Sequence, residues 1–225
     1  APVNDPVLWY RLDETSGTTA TDQMGNSDGT VTSTSGWDPG AGFDGSGALH
    51  FDGSFRLDLD NASNAFSGAQ QQVTFSLWLR GDDDANYADT KNVFTGKDSN
   101  NDLATVFRCP QPINASGDVS FRHGAPDYDI LRWSRPSQVY YKGQWRHYAL
   151  VKDAVAGIQR IYCDGQLVAE KTDTTHGADI TAFTIGSETE RHAHLYEGRI
   201  DDFRIYDYAL SGAEIRGIIN GTPKP

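Results

Sequence analysis

The sequence predicts an all-β domain of two stacked antiparallel sheets with one short C-terminal helix. Three observations carry that expectation. Short runs of β-branched and aromatic residues recur along the 225 residues, separated by Gly, Asn and Asp clusters, as strands joined by polar turns do. No segment before the last sustains a 3.6-residue apolar period. The strand candidates number about a dozen with no helices between them, so they stack as two sheets rather than build a βαβ fold.

Taken in order, Val7-Leu8-Trp9-Tyr10-Arg11-Leu12 reads as the first strand, and 48–53 and 55–59 as the next two. Runs at 73–80, 92–97, 103–109, 118–123 and 130–134 follow, then 145–152, 158–163, 166–170, 182–186 and 198–206. Asp164-Gly165 joins two of them as a two-residue hairpin, because both residues tolerate positive φ. Ser211 and Glu214, three residues apart ahead of Ile215, Ile218 and Ile219, read as the capping box of the terminal helix. Residues 1–220 form one domain, a size at which about 70% of the unfolded surface is buried without disulfides. Residues 221–225 read as a linker or tail of a longer chain, and Ala1-Pro2-Val3 as the start of a mature or trimmed one. Cys109 and Cys163 fit either one disulfide or two buried thiols.

Nineteen Lys and Arg against 31 Asp and Glu give a net charge of −12, the wrong sign for tracking phosphates, so nucleic acid is not an expected partner. No apolar run approaches the roughly 20 residues that span a bilayer.

The order of the motifs adds a resemblance. Trp9-Tyr10-Arg11-Leu12-Asp13-Glu14-Thr15-Ser16-Gly17 is followed by Asp22, Gly25, Asn26, Gly29 and Thr30, then by Ala48-Leu49-x-Phe51-Asp52-Gly53 and Val73-Thr74-Phe75-Ser76-Leu77-Trp78-Leu79. Gly143-Gln144-Trp145-x-His147-Tyr148-Ala149 precedes Ile161-Tyr162-Cys163-Asp164-Gly165, and Gly198-x-Ile200-Asp201-Asp202-Phe203-Arg204-Ile205-Tyr206 closes the series. This ordered set, spanning about residues 7–219, resembles laminin-G-like (LamG type 3) domains of the concanavalin-A-like lectin/glucanase superfamily. The resemblance implies a two-sheet antiparallel jelly-roll sandwich, secreted or extracellular, often with a structural calcium and often attached to a catalytic domain. It leaves the ligand open, since the fold hosts lectins, hydrolases, lyases and adhesion modules. The chain departs from the pattern at 124–142 and 188–196, loops where specificity would be built.

For the calcium, the loop from Asp22 to Gly29 offers Asp22, Asn26 and Asp28 as the oxygen donors that Ca²⁺ takes. Asp201, in the position resembling a calcium-ligating Asp of related folds, is expected to complete the set. An Asx-rich turn with an ordinary salt bridge is the alternative. A zinc site from His192 and His194 with Glu190 or His176 is a weaker reading.

For the ligand, strand alternation puts Phe75, Leu77 and Leu79 on one side and Trp78 and Arg80 on the other. The same argument opposes Arg108 to Phe107, and Arg122 to Val119 and Phe121. With the aliphatic sets inward, Trp78, Arg80, Arg108 and Arg122 project outward; with the assignment reversed, Trp78 is a core residue. Tyr128, Arg132, Trp133, Arg135 and Tyr140 of the long loop, facing Arg191, His192 and His194, are expected to wall the groove. Guanidinium groups pair with carboxylate or sulfate and aromatic rings pack on sugar faces. The expected function is therefore a non-catalytic carbohydrate-binding module for an extracellular polysaccharide, with an anionic one (uronate or sulfated) as the option the arginines suggest. No middle strand carries the paired carboxylates of a glycosidase. A jelly-roll polysaccharide lyase, with a base from Arg122-His123, Tyr140-Tyr141 or His192-x-His194, or a glycanase, and a protein-adhesion domain remain as alternatives.

Overall fold

The computed structural model describes residues 4–85, 90–111, 117–124, 129–134, 136–187 and 194–221. Among these are sixteen strands: β1 Leu8–Tyr10, β2 Thr19–Ala20, β3 Gly29–Val31, β4 Trp37–Asp38, β5 Ala48–Asp52, β6 Leu57–Leu59, β7 Gln72–Gly81 and β8 Asn92–Lys97. They continue with β9 Leu103–Gln111, β10 Asp118–His123, β11 Asp129–Trp133, β12 Arg146–Asp153, β13 Ile158–Cys163, β14 Gln166–Thr172, β15 Ala182–Ile185 and β16 Glu197–Tyr206. A one-turn helix, α1 Ala62–Ala65, a 3-10 turn at Gln138–Tyr140 and the terminal helix, α2 Gly212–Gly221, complete the described elements.

The strands form two antiparallel sheets of eight. The back sheet runs β14-β13-β12-β7-β16-β5-β4, with β1 on the second half of β16. The front sheet runs β11-β10-β9-β8-β15-β6-β3-β2. This is the two-sheet jelly roll with one C-terminal helix that the sequence predicts. The strands it misses, β2 to β4, have two or three residues each, too few to show a period of two. The first expected strand is shorter than 7–12 because Leu12 turns to φ 58°.

Alternate residues of both sheets meet in one aromatic core. The Phe75 ring lies 4.6 Å from Phe94 and 5.7 Å from Phe183, and Phe66, Phe107, Phe121 and Phe203 close around them. At one end the sheets are tied by a buried ion pair, Lys152 Nζ of β12 to Asp129 Oδ2 of β11 at 2.6 Å. Burial pushes the Asp129 carboxyl pKa up, but the hydrogen bond and charge of Lys152 outweigh it, and the net shift is downward. Cys109 and Cys163 are free, buried thiols, and burial raises both pKa values.

The expected local signals fold as read. Asp164 and Gly165 take φ 50° and 75° in the β13–β14 turn. Ser211 N–H donates to Glu214 Oε2 at 2.7 Å and Glu214 N–H to Ser211 Oγ at 3.3 Å. Ile215 and Ile218 of α2 then pack on Ala149, Val151, Tyr162 and Tyr206, so the helix covers part of the back sheet's outer surface.

Candidate functional site

The groove expected from the sequence divides between two surfaces. Leu77 and Leu79 of β7 are in the core, so Trp78 and Arg80 do face outward, but from the back sheet. Phe107 of β9 and Val119 and Phe121 of β10 are in the same core, so Arg108 and Arg122 face outward from the front sheet. Arg80 and Trp78 therefore stand on the opposite side of the sandwich from Arg108 and Arg122, and a single groove containing all four does not exist. The alternation within each strand holds; strand order, which decides the sheet, is not carried by alternation.

Trp78 is also half-buried. Its ring stacks on Phe43 at 4.2 Å and 8° between planes, with His147 edge-on at 5.3 Å. That arrangement gives Trp78 a packing role on the back sheet, on the opposite side of the sandwich from Arg108 and Arg122.

On the front sheet the register gathers what remains. Ser120 of β10 pairs with Arg108 of β9 on one side and with Arg132 of β11 on the other. Arg122, two residues along, pairs with Val106 and Ile130. Arg108, Arg122 and Arg132 thus share one outer face across three adjacent strands. Arg108 and Arg122 are half-buried and Arg132 is exposed. Arg108 Nε donates to Asn92 Oδ1 at 3.0 Å, which fixes the guanidinium along the sheet. Asn92 is fully buried and its Nδ2 has no hydrogen-bond partner. The Asn92 N–H donates to the carbonyl of His194 at 2.8 Å, which brings the exposed His194 to this end of the face. Asn92 and Ser120 carry no sequence signal: a bulge between Asn92 and Phe94 breaks the alternation that would have found the first.

Trp133 and Tyr140 meet edge to face at 4.9 Å and pack against the rim of the core, so they are not on the arginine face. Tyr128, Arg135, Arg191 and His192, with Glu190, lie outside the described residues.

The candidate bases differ sharply in access. His123 points inward, opposite to Arg122, with Nδ1 3.2 Å from Thr105 Oγ1. Burial pushes its pKa down to about 3, with the Lys152 charge adding to the effect. The Arg122-His123 pair is thereby split across the sheet. Tyr141 is buried, and burial raises its pKa. Sequence reasoning also missed a hydroxyl–imidazole pair, Ser76 Oγ to His147 Nε2 at 2.9 Å. His147 has no partner at Nδ1, and burial drives its pKa to about 3. Without an orienting acid or solvent access it does not form a nucleophilic relay.

The four expected calcium ligands do not form one donor set. Asp22 Oδ1 accepts the N–H groups of Trp9 and Met24 at 2.8 and 3.1 Å, and Oδ2 those of Asn26 and Ser27 at 2.7 and 3.1 Å. Asp28 Oδ1 accepts the Asp22 N–H at 2.9 Å, and Asn26 Nδ2 donates to the Val7 carbonyl at 2.8 Å. The loop is the Asx-rich anchor of the alternative reading. Asp201 sits elsewhere, fully buried in β16, its Oδ2 accepting the Phe43 N–H at 3.1 Å. Among the described residues no three His, Cys, Asp or Glu side chains gather as a metal group. Among the described residues no helix is long and apolar enough to cross a membrane.

Known structures share this architecture. Domain 4 of AbnA, a GH43 extracellular arabinanase from Geobacillus stearothermophilus in complex with arabinotriose, is 20% identical with TM-score 0.65, over 95% of this chain and 97% of that one. A botulinum neurotoxin DC binding domain in complex with rat synaptotagmin II is 14% identical with TM-score 0.72; it is covered by 97% of this chain, which spans 52% of it. A heptameric SAP-like pentraxin from Limulus polyphemus is 18% identical with TM-score 0.56, over 69% of this chain and 73% of that one. At these identities the likeness shows the fold alone. No curated protein sequence matches the chain. The laminin-G-like type 3 family profile matches residues 51–216, and on that match the chain belongs to the concanavalin A-like lectin/glucanases superfamily.

Proposed function

We propose that the chain is a non-catalytic carbohydrate-binding module that takes an extracellular polysaccharide bearing carboxylate or sulfate groups on the outer face of the front sheet. The observation that carries this reading is the register of Arg108, Arg122 and Arg132 across three neighbouring strands of a chain with net charge −12. A cationic patch on an acidic protein concentrates anionic ligands locally while repelling them elsewhere. The arabinotriose complex of a fold relative supports a sugar ligand, and it comes from a multidomain extracellular enzyme, which supports an attached catalytic domain and a secreted setting here. The burial of His123 and Tyr141 weighs against the lyase reading at those two positions.

A structural calcium is proposed at Asp201 alone of the four expected residues. Its Oδ2, the Ser46 hydroxyl and the Gly47 carbonyl crowd the Gly42 α-carbon, 2.7, 2.8 and 2.5 Å from where a side-chain carbon would start. Converging hard oxygens are the donors calcium takes.

Affinity electrophoresis through gels containing polygalacturonate, a sulfated galactan or neutral arabinan tests the reading. Retardation is expected in the charged gels, and unretarded migration in both of them refutes it.

A further inference from the structure

Arg80, displaced from the arginine face, lines a site of its own. His50 of β5 pairs in register with Arg199 of β16, and Arg199 with Arg80 of β7. Their neighbours Leu49, Ile200 and Leu79 are in the core, so all three project from the back sheet in one row. The segment that follows β7 closes the row into a cavity of about 540 Å³ lined by His50, Arg80, Gly81, Asp82, Asp83, Asp84 and Arg199.

The charges inside are mixed and in part matched. Asp82 holds His50 Nε2 at 2.7 Å and Arg199 Nη1 at 3.3 Å, and Arg199 Nε also reaches Asp38 at 2.7 Å. The Arg80 guanidinium makes no hydrogen bond or ion pair with any described residue, although it lines this cavity. A ligand that satisfies Arg80 must therefore bring an acceptor. A free anion meets three carboxylates on the same walls, and a free cation meets two guanidinium groups. A neutral polyol meets neither penalty, since each hydroxyl accepts from a guanidinium with one lone pair and donates to a carboxylate with its proton.

We propose that this cavity is a second binding site, for a neutral sugar unit, with Arg80 as the principal donor and the carboxylates of Asp82 to Asp84 as acceptors. It is independent of the anionic site on the front sheet, from which the whole sandwich separates it. A polymer with charged and neutral stretches would then be gripped at two points by one module, with the gain of linked binding.

The test is an NMR titration of the whole chain with arabinotriose, xylotriose, cellotriose and galactotriose, and with trigalacturonate as the charged probe, reading the Arg80 Nε–H and His50 ring signals. At least one neutral trisaccharide is expected to shift both saturably. Arg80→Ala is expected to weaken that binding about tenfold or more without changing the melting profile, because the side chain is outward and holds no described residue in place. Arg108→Ala should leave it within about twofold. Absence of a saturable shift by every neutral trisaccharide up to about 20 mM, a range that detects even millimolar binding, overturns the proposal. So does a stronger response at Arg80 to trigalacturonate, or loss of the neutral response in Arg108→Ala. None of these results touches the charged-gel outcome at the front sheet.

Discussion

Replacing Arg108 with Ala tests the front-sheet site most directly. Arg108 and Arg132 pair with the same Ser120 from opposite sides and so stand two strand spacings apart, about 10 Å. Two like charges at that distance repel by about 0.4 kcal/mol at the dielectric of water and about 1.7 kcal/mol at an effective value near 20. An anionic chain laid across the strands relieves that repulsion and adds charge-assisted contacts of about 1.5–3 kcal/mol each. Arg108 is half-buried and oriented by Asn92, so less freedom is lost when it binds. At about 1.4 kcal/mol per factor of ten, Arg108→Ala should weaken polygalacturonate binding about 10- to 100-fold, and half-buried Arg122→Ala by a similar factor. Exposed Arg132 is worth about 1 kcal/mol or less, roughly fivefold. Isothermal titration at about 0.05 M and 0.5 M salt checks both the ranking and the screening, which should narrow the differences at high salt. Equal losses for Arg132→Ala and Arg108→Ala, or an Arg80→Ala loss as large as either, would refute the reasoning.

Three further outcomes are expected. Asp129→Ala strands the buried Lys152 ammonium and should cost about 3–5 kcal/mol in urea denaturation at neutral pH, whereas the double change Asp129→Leu with Lys152→Met should recover most of it; a double variant as unstable as the sum of the singles would contradict this. Because the folded Asp129 pKa lies below its unfolded value, its contribution is present above about pH 4 and fades as pH falls through the folded value, so the wild-type advantage over Asp129→Ala should shrink in acid. Asp22→Ala should cost about 3 kcal/mol through four lost amide contacts, equally with calcium or a chelator, while calcium should raise the melting temperature of the wild type and not of Asp201→Asn; a chelator that abolishes the Asp22→Ala penalty would make Asp22 a ligand after all. Phe43→Ala should red-shift and quench Trp78 emission and leave polygalacturonate binding unchanged, and a binding loss would return Trp78 to the ligand site.

What the sequence could and could not convey follows from the range of each signal. Ser211 with Glu214, and Asp164 with Gly165, are local rules, and they fold as read because nothing distant decides them. Alternation in β7, β9 and β10 separates inward from outward residues correctly, since a period of two is also local. It does not say that β7 joins one sheet and β9 and β10 the other, and that long-range choice is what parts Arg80 and Trp78 from Arg108 and Arg122. Trp78 illustrates a second limit: an outward aromatic is free only if no loop lies on it, and Phe43 comes from 35 residues upstream. Asp22 shows a third. A carboxylate among glycines offers the same oxygens to a cation or to backbone amides, and only the closing of the loop onto Trp9 decides between them.

The helix α2 on the back sheet has a practical corollary for handling the protein. The Asn4 N–H reaches the Tyr208 hydroxyl at 3.1 Å, beside the start of that helix. A biotin or dye coupled at either position, or a fusion partner joined there, would extend away from the three front-sheet arginines. Immobilised on a sensor surface in that orientation, the module presents its cationic side to the flowing polymer.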